Sequence, residues 1–195
     1  MSAVSDSSSS PGQLRADAAR NETKVLCAAR AVFAEQGEHA LIEDIAARAG
    51  VGVGTVYRRF GNKRGLLLAV ITASMAELRR EVTELELGED ALAALTAVVT
   101  RLLEHGQRER HLILLVAPGE RKHPVPEDAR EIMHGVVGRL LARARRDGQV
   151  RPEVTVTTLV SLLRGLMIGV LEHPDGDWRT GVDVVVRGIR SGPTA

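Results

Sequence analysis

Aromatic residues and cysteine are scarce in this sequence. One Trp, one Tyr, two Phe and one Cys stand among 195 residues. The lone thiol, Cys27, excludes an intramolecular disulfide framework and a cysteine-only zinc site. So few rings exclude stacking on bases or planar ligands as a widespread device. No run approaches the ~18 apolar residues that a membrane span needs; the longest, such as Leu112 to Ala117, are core-sized. Charge of one sign is missing too, with 26 Lys and Arg against 25 Asp and Glu and a net charge of +1. The overall balance therefore points to neither a nucleic acid nor a membrane surface. The first residues, MSAVSDSSSSPGQ, have no basic start and no apolar core, unlike a secretory signal. They read as a Ser-rich disordered tail over 1–13. A cytoplasmic protein with no membrane partner is expected, and the Asn21-Glu22-Thr23 sequon carries no meaning there.

What is present is helical periodicity. Hydrophobic residues make up 44 %, ordinary for a globular chain. From Leu14 to Gln36, Glu22, Val25, Leu26, Ala29, Val32 and Phe33 share one face, and Gly37 follows as a stop. Short segments over Glu43–Ala49 and Gly54–Phe60 end at Gly50 and Gly61. Longer ones follow over Lys63–Leu87, Glu89–Gln107 and Arg110–Ala117. Pro118 and Pro126 bracket a loop before a segment to Arg146, whose stripe includes Ile132, Val136, Leu140 and Leu141. Val154–Glu172 is apolar on most of its circumference, and the last helix runs from Trp178 to about Arg190. No alternating strand pair is found. An all-α fold of about nine helices is expected.

The charge is not evenly spread. Arg48, Arg58, Arg59, Lys63 and Arg64 lie within seventeen positions that hold no acid. Residues 1–64 carry nine basic against seven acidic residues, whereas the remainder carries seventeen against eighteen. The basic stretch falls where two short helices meet at a glycine-containing turn. That is the plan of a helix-turn-helix, whose second helix enters the DNA major groove.

The stretch LIEDIAARAGVGVGTVYRRFGNKRGLLLAV, residues 41–70, resembles the DNA-binding domain of the tetracycline-repressor (TetR) family. The resemblance rests on Ile45-Ala46, Ala49-Gly50-Val51, Gly54-Thr55-Val56-Tyr57, Phe60 and Lys63, with Ala28-Ala29, Phe33 and Gly37 upstream. More loosely, DGQVRPEVTVTTLVSLLRGLMIGVL and VDVVVRGIR resemble the last helices of bacterial members. The resemblance implies a tail over 1–13, a DNA-binding domain over 14–64 with its motif at about 41–60, and an effector-binding and dimerisation domain over 65–195. It implies that Ile45, Ala46, Ala49 and Val51 pack the motif's core, and that Gly50 takes the turn with a positive φ. Val53, Gly54, Thr55 and Tyr57 would face the groove. Arg58 and Arg59 would reach phosphate or a guanine edge, Lys63 would hold a phosphate, and Phe60 would pin the recognition helix.

Departures from the family pattern sharpen this reading. Leu41 stands where a Thr or Ser usually caps the second helix, and losing such a cap costs about 1 kcal/mol. Gly52 replaces a usual Ser, and Val53 is apolar where the family is often polar. Recognition then relies more on Thr55, Tyr57 and the arginines. Arg15 and Arg20, ahead of the first helix, would add phosphate or minor-groove contacts. Other chemistries find less support. In Gly50-Val51-Gly52-Val53-Gly54 the third glycine of a dinucleotide loop is replaced by Thr55, and no strand precedes it. The six histidines show no metal-ligand spacing, Cys27 has no resolving partner, and no catalytic triad or carboxylate pair stands out. No enzyme, cofactor or metal is expected.

For the remainder, the resemblance implies an effector pocket within helices four to seven and a homodimer through the two C-terminal helices. The apolar excess around Leu159, Leu163, Leu166, Met167 and Val170, with Gly165 and Gly169 four apart, independently favours such an interface. The pocket is expected among Leu78, Leu103, His111, Leu115, Met133, His134, Val137, Arg164 and Met167. With so few aromatics, an aliphatic or carboxylate-bearing effector fits better than a planar cation, with Arg164 or a histidine as polar partner. The expected protein is a repressor on a pseudo-palindromic double-stranded DNA operator, released by a small molecule. The alternative is an effector-independent DNA-binding protein regulated by a protein partner.

Overall fold

Each periodic segment of the sequence forms a helix. A computed structural model of the chain describes residues 11–115 and 127–192. Residues 1–10 of the expected tail and the loop between Pro118 and Pro126 lie outside this range. The helices are α1 (Pro11–Gln36), α2 (Ile42–Ala49), α3 (Val53–Phe60), α4 (Lys63–Glu86), α5 (Ala91–Arg108) and α6 (Arg110–Leu115). A single 3₁₀ turn, Gly37–His39, follows α1. Next, α7 joins Glu127–Arg130, a π-helical stretch Glu131–Val136 and Val137–Arg146, with helical dihedrals at both joints. Finally come α8 (Val156–Glu172) and α9 (Trp178–Ile189). The fold is all-α, with nine helices among the described residues. Its nearest approach to a sheet is an isolated antiparallel bridge between Val150 and Arg190. α1 starts at Pro11, three residues earlier than the periodicity indicates, because proline is tolerated in a first turn. Arg15 and Arg20 therefore lie on α1 and not ahead of it.

Caps set several helix starts. Asp90 accepts the Ala93 N–H (2.9 Å), Thr155 the Thr158 N–H (3.1 Å) and Asp177 the Thr180 N–H (3.2 Å). The first contact, with a second from Gln149, holds the Asp90 carboxyl below its ordinary pKa. α2 starts at Leu41 with no side-chain cap, as its sequence implies.

The chain divides into two compact units, Met1–Val70 and Ile71–Ala195, and the boundary falls inside α4. In the first, Val25, Ala29, Val32 and Phe33 of α1 share a core with Ile42, Ile45 and Ala46 of α2, Val56 of α3 and Leu66 of α4. In the second, α5 is the central helix. Its Leu92, Leu95, Val99, Leu102 and Leu103 are buried with Ile132, Val136, Leu140 and Leu141 of α7, Leu159 and Leu163 of α8, and Val182 and Ile189 of α9. Trp178 donates its indole N–H to Gln107 Oε1 (3.1 Å), while the Gln107 amide donates to Pro174 O (2.9 Å). These bonds fasten the end of α5 to the α8–α9 connection. Arg143 of α7 caps the end of α4 by donating to the carbonyls of Glu86, Gly88 and Glu89, where the helix dipole favours a cation.

The corner between α3 and α4 leaves no room at Gly65. A Cβ there would stand 2.1 Å from the Phe60 carbonyl oxygen, which is backbone and cannot step aside. Asn62 Oδ1 accepts the Gly65 N–H (2.9 Å) and so caps α4 at this corner. Gly65→Ala should therefore destabilise the first unit by about 1–3 kcal/mol, read as a lower urea midpoint at unchanged slope.

Candidate nucleic-acid interface and effector cavity

α2 and α3 form a tight pair because a glycine closes the first of them. Gly50 has a left-handed φ of +68°, and its N–H reaches Ala47 O (3.2 Å), while the Val51 N–H reaches Ala46 O (3.0 Å). This is a glycine-terminated helix end, and it turns the chain within a few residues. α3 then opens at Gly52, whose carbonyl accepts the Thr55 N–H (2.9 Å).

α3 has one anchored side and one open side. Val56 is 1 % exposed and fixes the helix to the core. Phe60, expected to be the pin, is only half-buried. Phe60 lies four residues after Val56 on the same side of α3, but it is the helix's last residue, at the edge of that contact. Gly54, Tyr57, Arg58 and Arg59 are exposed, and Val53, Thr55 and Lys63 are half-buried. Tyr57 is 45 % exposed, high for the chain's only tyrosine. A Cβ on Gly54 would meet nothing within 4 Å, so nothing in the protein requires a glycine there.

The structure separates the basic residues that the sequence groups together. Arg59 is not a free charge: it holds Glu22 of α1 through a fork of contacts at 2.8, 2.9 and 3.1 Å. Arg48 pairs with Glu35 of α1 (2.8 Å), which keeps the Glu35 carboxyl below its ordinary pKa. Lys63 donates to the Glu38 carbonyl in the 3₁₀ turn. Arg58 has no hydrogen bond or ion pair among the described residues. Sequence reasoning placed Glu22 on the apolar face of the first helix without assigning it a role. The signal was an acid on a stripe otherwise made of Val25, Leu26 and Ala29.

In the second unit a cavity of about 450 Å³ lies between three helices. α5 supplies Val99, Leu102 and Leu103; α7 supplies Ala129, Arg130, Met133 and His134; α8 supplies Leu163, Arg164 and Met167. Five expected pocket residues are thus brought together: Leu103, Met133, His134, Arg164 and Met167. Leu78, His111, Leu115 and Val137 are not among its walls, and α4 contributes none. Val137 is fully buried in the packing of α7. Leu78 is buried in the same core, and His111 and Leu115 sit on the short α6. His111 Nε2 is enclosed with no hydrogen-bond partner among the described residues. Arg130, Val99, Leu102, Ala129 and Leu163 were not anticipated, because wall residues are selected by facing helices and leave no local pattern. Met133 and His134 lie in the π-helical stretch, a feature frequent at functional sites. The Met167 thioether fills the space left by Gly106, where a Cβ would be 2.2 Å from its sulfur.

One buried polar pair resembles catalytic machinery and is not. Ser74 Oγ lies 3.0 Å from His105 Nε2, and Arg108 lies 3.2 Å from His105 Nδ1. A guanidinium only donates, so Nδ1 accepts and the N–H at Nε2 points at the serine. In that tautomer the imidazole cannot take the serine proton. Among the described residues there is no group of three metal-ligating side chains and no helix long and apolar enough to cross a membrane.

A paired set of short helices with an open polar face on the second defines a helix-turn-helix DNA-binding protein. Residues 25–70 match the model of the tetR family of bacterial regulatory proteins. Residues 90–191 match the C-terminal domain of SbtR-like transcriptional regulators. The HTH-type transcriptional regulator UidR of Escherichia coli K12 is 23 % identical over 163 residues, covering 81 % of this chain and 83 % of UidR. Two solved structures share the fold over most of both chains. The TetR regulator SCO0520 of Streptomyces coelicolor is 27 % identical with a TM-score of 0.66, covering 89 % of this chain and 99 % of its own. A TetR regulatory protein of Mycobacterium vanbaalenii is 30 % identical with a TM-score of 0.63, covering 91 % and 99 %. The chain belongs to the TetR family: it is a DNA-binding transcriptional regulator and not an enzyme.

The unequal pairing of Arg58 and Arg59 has a measurable consequence. On duplex DNA, Arg58→Ala should reduce the slope of log affinity against log salt by about one. Arg59→Ala should change it much less, because that charge is already neutralised by Glu22.

Proposed function

We propose that α3 is the reading helix, with Val53, Gly54, Thr55 and Tyr57 toward the major groove. Arg58 takes a phosphate or a guanine edge, and Lys63 holds a phosphate. Its ammonium has three N–H donors, of which the Glu38 carbonyl uses one. Arg59 has the secondary role of bracing α3 against α1. The observation that carries this reading is the open face of α3, where Gly54, Tyr57 and Arg58 stand opposite buried Val56. A glycine in a helix costs about 0.5–1 kcal/mol relative to alanine, and no contact within the protein offsets it at Gly54. Close approach of a partner to that turn accounts for it.

We propose further that the protein works as a homodimer through α8 and α9. Leu162, Ile168 and Val184 are large apolar side chains left 45, 54 and 63 % exposed on these two helices. At Gly165 and Gly169 the space around the missing Cβ is open, which suits close approach of a second helix pair. Two recognition helices of a symmetric dimer would then read half-sites about 34–36 Å apart, on a pseudo-palindromic operator.

The effector reading is supported by the cavity. Its volume falls within the range of about 300–1,000 Å³ usual for small-molecule sites. That favours a ligand-released repressor over an effector-independent protein, whose core would be filled. A route for coupling exists in charged contacts. α7, which walls the cavity, is fastened to α4 by Asp128–Arg79 (2.7 Å) and by Arg139–Glu86 (2.5 and 2.9 Å). The Glu86 and Glu131 carboxylates hold the Arg139 guanidinium well above its ordinary pKa. A ligand that displaces α7 would pull on α4, which begins at Lys63. Regulation then follows from different affinities of the ligand for the DNA-bound and released states.

The tests use the protein's own upstream DNA. Tyr57→Ala should weaken operator binding about tenfold or more, and Lys63→Ala should also flatten the salt slope by about one; unaltered affinity of both variants would remove α3 from the interface. Gly54→Ala should raise stability slightly in urea unfolding yet weaken operator binding, two effects of opposite sign from one methyl group. Ile168→Asp should shift the sedimenting species from dimer to monomer and abolish cooperative operator binding. A dimer of full stability in that variant would place the interface elsewhere.

A further inference from the structure

The polar side chains lining the cavity among the described residues are two arginines and a histidine. Arg130 and His134 come from α7 and Arg164 from α8, and all three are exposed at its edge. None has a hydrogen bond or an ion pair among the described residues. Of the acids on α7, Asp128 is engaged with Arg79 (2.7 Å) and Glu131 with Arg139 (3.0 Å), while Glu127 is exposed and is not among the residues lining the cavity. The wall supplied by α5 is purely apolar, being Val99, Leu102 and Leu103. Two exposed guanidiniums at the edge of an aliphatic cavity, with no ion pair among the described residues, favour an anionic head there. The apolar interior in turn rewards a chain of methylene groups, roughly fourfold in affinity per CH₂ buried.

We propose that the cavity takes an amphiphilic anion, its acidic head held by Arg130, Arg164 and the His134 ring N–H, and its unbranched aliphatic chain lying along α5. The proposal rests on the effector reading above only for its consequence, not for its chemistry. A flat aromatic ligand has no ring to stack on at these walls. An aliphatic cation would meet two like charges, and no acid is among the described residues lining the cavity.

The test is calorimetric titration of the full-length protein with four probes sharing a ten-carbon chain: decanoate, decyl phosphate, decanol and decyltrimethylammonium. Decanoate or decyl phosphate should bind at least about tenfold more tightly than decanol, and the cation should not bind. Which of the two anions is preferred distinguishes a carboxylate from a phosphate head. Arg164→Ala and Arg130→Ala should each weaken the anion about tenfold and leave decanol unaltered, while Arg164→Lys should recover part of the loss. Ala129→Trp should block both anions and decanol. Both arginines are exposed, and thermal unfolding checks that the variants remain folded. Equal binding of decanol or of the cation, no binding of either anion, or unaltered anion binding by both arginine variants would each overturn the proposal. If the anion binds as described but operator affinity does not change with it, the ligand class stands and the effector reading fails.

Discussion

An eight-residue helix does not hold its shape in water, because two turns cannot repay the cost of nucleation. α3 exists only because the core beneath it accepts Val56 and because Gly50 turns the chain so that Val56 arrives there. The face of α3 proposed to read DNA depends on that single anchored side. With Val56 buried, the helical period determines that Gly54, Tyr57 and Arg58 point outward. The same corner is tightened from the other end by Gly65, where the start of α4 comes too close to the Phe60 carbonyl for any side chain. The outward face of α3 is thus fixed from both ends, which would preorganise the proposed reading face for a groove.

Electrostatics refine this face. Counted along the sequence, five basic residues crowd into seventeen positions. Counted in space, Arg48 and Arg59 are paired with acids of α1, and Lys63 is bonded to a backbone carbonyl. An exposed ion pair of this kind contributes at most about 1 kcal/mol to stability, so its greater effect is on orientation. Glu22 holds the Arg59 guanidinium along α1, leaving Arg58 to carry the free charge of α3. A protein of net charge +1 can thus bind a polyanion through a few well-placed cations without a broadly basic surface.

In the second unit the same scarcity of aromatics that limits stacking also shapes the interior. Only Trp178 is available, and it serves structure by bonding Gln107. The cavity is built instead from leucines, valines and methionines on three helices. Among the described residues its polar groups come from α7 and α8. α7 is also fastened to α4 through Asp128–Arg79 and Glu86–Arg139. The π-helical stretch beneath Met133 and His134 gives α7 a segment whose hydrogen-bond register is not that of its neighbours.

Much of this was legible in the sequence. The 3.6-residue period located all nine helices, and glycine chemistry marked the turn at Gly50, where only the left-handed region fits. The motif residues from Ile45 to Tyr57 identified the helix-turn-helix, because short-range order and turn geometry are written locally. The helix ends were less legible, since caps such as Asp90 and Thr155 displaced them by a residue or two. The partner of Arg59 was not legible at all, as Glu22 stands 37 residues away and only the packing of α1 against α3 brings them together. Nor were the cavity walls: Arg130 and Ala129 look like a solvated first turn, and Val137 looks as good a lining residue as Met133. Sequence determined which segments are helical and which motif they carry, because those depend on neighbours along the chain. Tertiary structure alone decided which cations remain free and which side chains enclose the cavity, because those depend on helices that meet only after folding.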